Sequence, residues 1–544
     1  GNAPITGIIT VTPFNTSGAT SCPGTPITFT ITINPKGQVN AIPGQVICNG
    51  ATVTIPDFST TNSGATTTYA WTSSNLAVGL AASGNGNIGS FTATNTSTAP
   101  ISTSITVVPT FTNGSVSCSG PSKSITITVN PTAQVNQPNN VVFCAGTPST
   151  AIPFSTTNTV GVTTYNWTND TSSIGLGASG TGNIAVFTPV NNTTSPIIAT
   201  ITVIPTFANG GTSCTGPSET FTITINPKGQ VNSISNIVIC NGNTIPEIVF
   251  STNNTGGTTT YNWTNNTTSI GLAASGSGNI TAFNAVNNGT SPVTATITVT
   301  PIFTNSTNCS GTPITFTIIV NPNARVSTIT NKTVCNNTTL PAINFATTNT
   351  GGTPSYTWTN DTPSIGLGAS GTGNIAAFTA INTGTSPIIA TIEVTPSYTN
   401  NSVICSGTPT TFTITVNPTG QVNPIANQIL CNGTSISAVA FSTNNTGGTT
   451  TYSWINSNPA IGLAASGSGA INAFNVTNSS PSPIIGTITV TPSFLNGAPA
   501  CAGTTESFTI TVNPSPAVSF SPTNQTICSG DTSALVTLSS TTSG

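Results

Sequence analysis

Charged side chains are almost absent from this sequence. Its 544 residues include five Lys or Arg and eight Asp or Glu, and His and Met do not occur. The five cations stand singly along the chain, at Lys36, Lys123, Lys228, Arg325 and Lys332. Because proteins bind nucleic acid through clustered cations that displace counterions, we expect no nucleic-acid partner.

Long apolar runs are also missing. No stretch approaches the roughly 18 residues that cross a bilayer, so we expect no membrane insertion of this segment. The N-terminus lacks the charged, then apolar, then small-residue order of a secretory signal. We expect any export signal or anchor to lie outside these residues.

The sequence does contain a repeat of about one domain in length. Trp residues are spaced 96, 96, 95 and 96 residues apart, at Trp71, Trp167, Trp263, Trp358 and Trp454. Asn-Pro pairs keep the same step and end at Pro35, Pro131, Pro227, Pro322, Pro418 and Pro514. These prolines predict a partial repeat over 1–35, five complete repeats over 36–131, 132–227, 228–322, 323–418 and 419–514, and a partial repeat over 515–544. We therefore expect the natural array to be longer.

Apolar and polar residues alternate within each repeat. The segment from Thr28 to Ile33 alternates strictly, which is typical of a strand with one face on a core. Clusters of Gly, Asn, Ser and Pro separate such segments, and no helical stripe is present. About seven short strands in roughly 96 residues is typical of an immunoglobulin-like sandwich. Short linkers favour end-to-end stacking, so we predict an all-β tandem array of such domains forming an extended rod.

The aromatic pair Tyr-x-Trp recurs in every complete repeat. Tyr69 and Trp71 are two residues apart and so project from one face of a strand. A Trp on a central strand of a sandwich usually lies in the core, and we predict that role for all five Trp residues. The alternative is a sugar-stacking platform in which Tyr faces outward at a domain edge.

Cysteines fall two per period. The twelve are Cys22, Cys48, Cys118, Cys144, Cys214, Cys240, Cys309, Cys335, Cys405, Cys431, Cys501 and Cys528. Without His or a C-x-x-C pair, a zinc site lacks its usual ligands and spacing. The regular spacing predicts structural disulfides and an oxidising compartment.

Two connectivities fit this spacing. The first closes each repeat on itself, with Trp between the two cysteines, and leaves Cys22 and Cys528 to pair outside these residues. Its bonds join Cys48 to Cys118, Cys144 to Cys214, Cys240 to Cys309, Cys335 to Cys405 and Cys431 to Cys501. The second joins Cys22 to Cys48, and so on, across each domain boundary. A strand and a linker separate those two residues, so we expect their Cα atoms to lie beyond the Cα–Cα distance of about 4.4 to 6.8 Å that a disulfide needs. We favour the first.

Residues that could carry other chemistry do not form a consistent pattern. Asp170 and Asp361 occupy one aligned position, but Asn266 and Ser457 replace them in other copies. With two acids or fewer per repeat, calcium would lack its carboxylate ligands. Gly175–Gly180 matches G-x-G-x-x-G, yet more turn residues and a strand follow it, which indicates a loop between strands. We expect no catalytic site, no cofactor and no metal.

The motifs themselves resemble a known family. They are Cys-Asn-Gly, Thr-Thr-Tyr-x-Trp-Thr, Ser-Ile-Gly-Leu-x-Ala-Ser-Gly-x-Gly-Asn-Ile, and Cys-x-Gly followed by Thr-Phe-Thr-Ile-Thr-Val-Asn-Pro. Over the whole chain they resemble the PKD-like repeats of Bacteroidota surface proteins, above all the large gliding-motility adhesins of Flavobacterium-type bacteria. The resemblance implies a PKD-like sandwich, export by the type IX secretion system and movement by the gliding machinery of the outer membrane. Similar modules also occur in secreted hydrolases.

These observations favour the stalk of a giant cell-surface adhesin, used for attachment and gliding. The expected partners are the secretion and gliding machinery and external surfaces or polysaccharide, which the uncharged Thr, Asn and Ser side chains could contact. Two alternatives stay open. One is a self-associating extracellular fibre with lateral contacts between chains, and the other is a carbohydrate-binding array attached to a secreted hydrolase.

Overall fold

The computed structural model describes residues 1–542, in which the regular elements are β-strands and short 3₁₀ turns. The predicted all-β tandem array of sandwich domains is confirmed. The 3₁₀ turns occur once in each complete repeat, at Leu76–Val78, Ser172–Ile174, Thr268–Ile270, Pro363–Ile365 and Pro459–Ile461.

The first part of the chain contains the N-terminal partial repeat and repeats 1 and 2. The partial repeat has β1 (Ile5–Val11), β2 (Phe14–Ser17), β3 (Thr20–Pro23) and β4 (Ile27–Ile33). Repeat 1 has β5 (Gln45–Cys48), β6 (Thr52–Val53), β7 (Thr66–Ser73), β8 (Ser83–Asn85), β9 (Phe91–Thr92), β10 (Ile101–Asn113), β11 (Val116–Ser119) and β12 (Lys123–Asn130). Repeat 2 has β13 (Val141–Cys144), β14 (Val162–Asn169), β15 (Ser179–Thr181), β16 (Ile197–Asn209), β17 (Thr212–Thr215) and β18 (Glu219–Asn226).

The remaining repeats follow the same order. Repeat 3 has β19 (Ile237–Cys240), β20 (Thr244–Ile245), β21 (Thr258–Asn265), β22 (Ser275–Ser277), β23 (Phe283–Asn284), β24 (Val293–Asn305), β25 (Thr307–Ser310) and β26 (Ile314–Asn321). Repeat 4 has β27 (Lys332–Cys335), β28 (Thr339–Leu340), β29 (Thr353–Asn360), β30 (Ser370–Thr372), β31 (Phe378–Thr379), β32 (Ile388–Asn400), β33 (Val403–Ser406) and β34 (Thr410–Asn417). Repeat 5 has β35 (Gln428–Cys431), β36 (Ser435–Ile436), β37 (Thr449–Asn456), β38 (Ser466–Ser468), β39 (Phe474–Asn475), β40 (Ile484–Leu495), β41 (Cys501–Ala502) and β42 (Glu506–Asn513), and β43 (Val518–Ser521) and β44 (Thr537–Ser540) follow.

Each complete repeat forms a six-stranded sheet with one topology. In repeat 2 the order is β13-β18-β16-β14-β15, and β17 pairs with β16 off this path. The first strand, β13, joins the last, β18, in parallel, and the other pairs are antiparallel. The opposite layer is thinner and consists mainly of extended segments joined by a bridge between Ile152 and Ile184. All six strands of each such sheet lie within one of the repeats predicted from the sequence. The exact residues at which one repeat ends and the next begins stay predictions.

A separate apolar core fills each sandwich. In repeat 3 it includes Trp263 and Ile297 from the sheet and Ile280 from the opposite layer. Alternate residues of β24 are buried because successive side chains of a strand point to opposite faces. This alternation is why the pattern of the sequence predicts the core-facing side.

The long strand of each repeat changes partner at a proline. In repeat 2, residues Ile197–Val203 pair with β18 and residues Thr206–Asn209 pair with β17. Pro205 lies between these two pairings. Proline has no N–H to donate, and at this position the edge of β16 that faces β18 and β17 needs no ladder hydrogen bond. The Pro205 carbonyl oxygen accepts a hydrogen bond from the Gly216 N–H. The strand pair β16–β17 therefore continues beyond β18 as a hairpin. We call this element of each repeat the docking hairpin.

The glycine motif of the sequence has a packing role. A Cβ placed on Gly180 would lie 2.2 Å from Cζ2 of Trp167, so the indole ring rests directly on the glycine backbone of β15. The same contact occurs in the other complete repeats, in the pairs Gly84 with Trp71, Gly276 with Trp263, Gly371 with Trp358 and Gly467 with Trp454. The middle glycine, Gly177, contacts nothing closely, and sister repeats carry Ala at that position.

We expect Gly180→Ala to destabilise repeat 2 by about 1 to 3 kcal/mol, because the added methyl group displaces the Trp167 ring. Hydrogen exchange measured by mass spectrometry on the full chain should show at least about tenfold faster exchange in peptides from β14 and β15. Gly177→Ala is the matched control, and its exchange should equal that of the wild type. Equal exchange in the two variants would contradict the packing role.

Candidate functional site: the junction between repeats

The docking hairpin of each complete repeat contacts the repeat before it. In repeat 2 the hairpin tip reaches the end of β5 in repeat 1, where the Thr212 hydroxyl donates to the Val46 carbonyl oxygen at 2.9 Å. The backbone at Gly210 lies so close to Val46 that a Cβ there would fall 2.8 Å from a Val46 methyl group. The hairpin thus covers the edge of the neighbouring sheet.

A buried asparagine closes the same contact. Asn130, the last residue of β12, donates from Nδ2 to the carbonyl oxygens of Asn209 and Thr212 at 3.0 and 3.3 Å. Asn209 donates back from Nδ2 to Oδ1 of Asn130 at 2.9 Å. The equivalent pairs are Asn226 with Asn305, Asn321 with Asn400 and Asn417 with Asn496. All four interior asparagines are fully buried, so their amide groups are satisfied by the neighbouring repeat.

A disulfide crosses each of these junctions. The bonds join Cys48 to Cys214, Cys144 to Cys309, Cys240 to Cys405 and Cys335 to Cys501. Their Cα atoms are 5.4 to 5.5 Å apart, within the usual range for a disulfide. Each bond therefore joins the first cysteine of one repeat to the second cysteine of the next.

The pairing favoured from the sequence, Cys48 with Cys118, is wrong in this structure. Cys48 ends β5 opposite Asn130, at the end of the sheet that faces the following repeat. Cys118 lies on the docking hairpin whose tip residue Asn113 reaches back to Asn34. The two cysteines of one repeat face opposite neighbours, and the same reason overturns the other bonds proposed within single repeats.

The second connectivity, Cys22 with Cys48, is wrong too, because Cys48 is bonded to Cys214. Unpaired cysteines in residues 1–542 are Cys22, Cys118, Cys431 and Cys528. Cys118 and Cys431 were expected to be bonded within their repeats, and they are not. The junction asparagines were missed. Their signal was present, since an Asn recurs at the boundary prolines and four or five residues before each second cysteine from Cys118 onward.

A large aromatic ring supports the disulfide. Phe494 packs in one buried cluster with Cys335 and Cys501. The equivalent residues of repeats 2 to 4 are Phe207, Phe303 and Tyr398, and all are fully buried. The Tyr398 hydroxyl also donates to the Thr350 carbonyl oxygen at 2.7 Å. The hairpin is thus tied to the core of its own repeat as well as to its neighbour.

A second contact lies elsewhere on each junction. The Thr159 N–H of repeat 2 donates to the Thr98 carbonyl oxygen of repeat 1 at 2.9 Å. The same bond joins Thr255 to Thr194, Thr350 to Thr290 and Thr446 to Thr385. With two separate attachment points, a junction resists bending more than a single linker would.

The five Trp residues are buried in the repeat cores, at 7 to 8% exposure. Their Tyr neighbours pack against a Phe side chain, as in the Phe154–Tyr165 pair with ring centroids 5.5 Å apart. Burial raises the pKa of Tyr165 above its ordinary value. Tyr165, Tyr261 and Tyr356 are buried, and Tyr69 and Tyr452 are partly buried against their Phe neighbours. None of these Tyr side chains is exposed as a sugar-stacking platform would require.

The aligned acids brace a turn. Asp170 Oδ1 accepts a hydrogen bond from the Thr200 N–H at 2.8 Å, and this bond and one from the Thr171 hydroxyl lower the pKa of the carboxyl group. In sister repeats Asn266 and Ser457 accept the same bond from Thr296 and Thr487. Because the turn needs only an acceptor oxygen, the residue type can vary.

Among the residues that the structure describes, no group of three or more His, Cys, Asp or Glu side chains is arranged to hold a metal ion. Within the same range, no helix has the length and apolar character needed to cross a membrane.

We expect Asn226→Ala to weaken the junction between repeats 2 and 3 by about 1 to 3 kcal/mol. The carbonyl oxygens of Asn305 and Thr307 would lose the amide donor that the buried Asn226 supplies, and Asn305 Nδ2 would lose its acceptor. Hydrogen exchange should become faster in peptides covering residues 302–310. Asn308→Ala, an exposed change on the same docking hairpin, is the control and should leave exchange unchanged. If the two variants exchange alike, the buried amide pair does not hold the junction.

Comparison with known proteins identifies no family. No protein-family model matches the chain, and no curated protein matches it. Solved structures with similar strands include the human desmocollin-1 ectodomain, at 10% identity over 87% of this chain and 98% of that chain, with a TM-score of 0.25. Sidekick-1 immunoglobulin domains 1–5 match at 11% identity over 88% and 100%, with a TM-score of 0.22, and Drosophila N-cadherin EC1–4 at 13% over 69% and 99%, with a TM-score of 0.21. TM-scores this low carry no weight for function.

Proposed function

We propose that this chain is part of the load-bearing stalk of a large extracellular adhesin on the surface of a Flavobacterium-type bacterium. In this proposal the type IX secretion system exports the protein, and the gliding machinery of the outer membrane moves it. The repeat motifs quoted above support the assignment by resemblance. The chain has a structural role and is not an enzyme.

The observation that carries the proposal is the disulfide at each of the four junctions between complete repeats. Disulfides persist in oxidising compartments outside the cytoplasm, which supports an extracellular location. Because the bonds join repeats to each other, tension applied to the ends is carried covalently from one repeat to the next. A stalk that links a cell to a surface has to carry such tension.

The side chains on the outer faces fit contact with external surfaces or polysaccharide. The chain has thirteen charged residues in 544, so its polar surface consists mostly of Thr, Asn and Ser. These side chains donate and accept hydrogen bonds without the salt dependence of charged contacts. The carbohydrate-binding array is not favoured, because the Trp of each aromatic pair lies in a core and the Tyr is buried or partly buried.

Antibodies raised against the 544-residue chain test the location and the role together. We expect them to label intact, unpermeabilised cells of the source bacterium along extended surface structures, and to reduce attachment of those cells to glass. Labelling that appears only after permeabilisation would overturn the proposal. An irrelevant antibody against an abundant outer-membrane protein controls for steric block of attachment.

A further inference from the structure

A groove of about 580 Å³ lies between repeats 2 and 3. Repeat 2 contributes Ala145, Gly146 and residues 188–193 to its walls, and repeat 3 contributes residues 228–232 and Thr312. This volume is within the range of roughly 300 to 1,000 Å³ that small-molecule sites occupy, and such sites often lie between domains. The equivalent residues of repeats 3 and 4 line a second groove of about 390 Å³.

Each groove contains one cationic side chain, although the whole chain has only five. Lys228 extends from repeat 3 over Gly146 of repeat 2, where a Cβ on the glycine would lie 3.3 Å from Nζ. Arg325 crosses the next junction in the same direction, and its Nη2 donates to the Asn288 carbonyl oxygen at 3.0 Å. Two residues at different aligned positions, the first and the third of a repeat, thus place positive charge in equivalent grooves.

The charge in the first groove is not neutralised. In residues 1–542 no hydrogen bond or ion pair engages Lys228 Nζ, and no residue lining this groove is acidic. The Gln230 side chain is also free within that range. In repeats 1 and 2 the equivalent Gln accepts a hydrogen bond from a Thr hydroxyl, but repeat 3 has Asn253 in place of that Thr. A free cation and a free amide group therefore line one groove.

Hydrogen bonds fix the walls of this groove. The Gly146 N–H donates to the Pro189 carbonyl oxygen at 2.8 Å. Asn191, which is buried, donates from Nδ2 to the carbonyl oxygens of Ile225 and Ser195 at 2.7 and 2.8 Å. Walls that are ordered before binding reduce the entropy loss that a ligand must offset.

We propose that the groove between repeats 2 and 3 binds an acidic sugar unit of an extracellular polysaccharide, and that the groove between repeats 3 and 4 binds another. Lys228 pairs with the carboxylate or sulfate group of the sugar, and charge-assisted bonds of this kind are roughly twice as strong as neutral ones. Gln230, Asn192 and Thr312 offer amide and hydroxyl groups to the sugar hydroxyls. No aromatic ring lines the groove, so the site differs from the sugar-stacking platform considered above. The inference rests on the proposed contact of the stalk with polysaccharide and gives that contact a location.

Biolayer interferometry on the purified 544-residue chain tests the ligand class. The sensors carry polygalacturonate, κ-carrageenan or a neutral galactan, each biotinylated at its reducing end, and so present a carboxylate, a sulfate or no acidic group. We expect binding to at least one of the acidic polymers at least about tenfold tighter than to the neutral galactan, and weaker binding as salt is added. Equal binding to all three polymers, or to none, would overturn the proposal.

Two double variants test the site. Lys228→Gln with Arg325→Gln keeps hydrogen-bonding groups in the grooves but removes both charges, and we expect at least about tenfold weaker binding to the acidic polymer. Lys123→Gln with Lys332→Gln removes two charges outside the grooves and should bind like the wild type. Equal weakening in the two double variants would mean that net charge alone attracts the polymer, which contradicts a site.

Hydrogen exchange of the full chain with the bound polymer locates the contact. Peptides covering 188–193 and 228–232 should be protected in the wild type and unprotected in Lys228→Gln. Peptides covering 132–136, where Thr132 and Gln134 stand at the aligned positions of the cationic residues, should stay unprotected in both. Protection confined to other regions would mean that the polymer does not bind the grooves. Failure of this test, while antibodies still label extended structures on cells, would reject the groove as a site and leave the stalk proposal standing.

Discussion

Stretched by its two ends in a single-molecule experiment, the oxidised chain is expected to extend to no more than roughly 650 Å, about a third of the roughly 1,900 Å that 544 residues reach when fully extended. The limit follows from the disulfides. The shortest covalent route between the termini runs through residues 1–48, 214–240, 335–405 and 501–544 and crosses three of the bonds. That route contains about 190 residues, and the remaining chain lies in loops that tension cannot straighten.

Reduction supplies the control for this experiment. With a reductant present, the same molecule should reach the full length in a series of unfolding steps, one for each repeat. Bonds within single repeats would give a different oxidised limit. Each such bond would take about 70 residues out of the covalent route between the termini. With all five repeats closed in this way, the chain would extend to roughly 700 Å. Because the two limits are close, the discriminating sample is Cys48→Ser with Cys214→Ser.

That double variant removes one junction bond, and the shortest covalent route then runs through residues 1–144, 309–335 and 501–544. The oxidised limit should therefore lengthen by about 25 residues, to about 215 residues or roughly 750 Å. The single change Cys118→Ser should leave the limit unaltered, because Cys118 is unpaired here. A longer limit in Cys118→Ser would contradict the junction pairing.

Removal of the bond between repeats 2 and 3 is expected to have the largest effect on stability. The Cys144–Cys309 bond closes a loop of 165 residues, which corresponds to about 5 kcal/mol in the chain-entropy model. Cys144→Ser with Cys309→Ser should therefore lower the urea concentration at which repeats 2 and 3 unfold. The paired replacement avoids a new free thiol at the junction.

Pulsed hydrogen exchange along a urea titration measures the unfolding midpoint of each repeat separately. Separate midpoints are needed because a multidomain chain does not unfold in one step. Peptides from repeat 5, held by the Cys335–Cys501 bond, are the internal reference and should keep their midpoint. Cys118→Ser is the matched single variant and should shift nothing. An unchanged midpoint for repeats 2 and 3 in the double variant would mean that the bond does not stabilise the junction.

The sequence predicts most of the sandwich because its signals are local. Alternation along Ile197–Asn209 places Ile201 and Val203 in the core without any knowledge of the neighbouring repeat. The regular Trp spacing likewise identifies one buried strand in each repeat. Such patterns depend on which face of a strand is buried, and the same face is buried in every repeat.

The junction could not be predicted in this way, because its contacts are distant in the sequence. Its disulfides join residues about 165 positions apart, and its asparagine pairs join residues 79 positions apart. Alternation identifies β16 as a strand. It does not say that β16 exchanges its neighbour β18 for β17 at Pro205 while staying paired with β14, or that the resulting hairpin reaches another repeat. The spacing of Cys48 and Cys118 therefore suggested a bond within one domain. The polar tip residue Asn209 and the boundary residue Asn130 recur with the cysteines, yet nothing in their spacing shows that they meet.

Non-reducing peptide mapping of the intact chain tests the central claim most directly. The protein is digested with its disulfides intact and its free thiols blocked, and the linked peptides are identified by mass spectrometry. The structure predicts that the peptide containing Cys48 is linked to the peptide containing Cys214 and that Cys118 is recovered as a blocked thiol. A peptide linking Cys48 to Cys118 would contradict the account, because each repeat would then be closed on itself and the junctions would carry no covalent bond beyond the backbone.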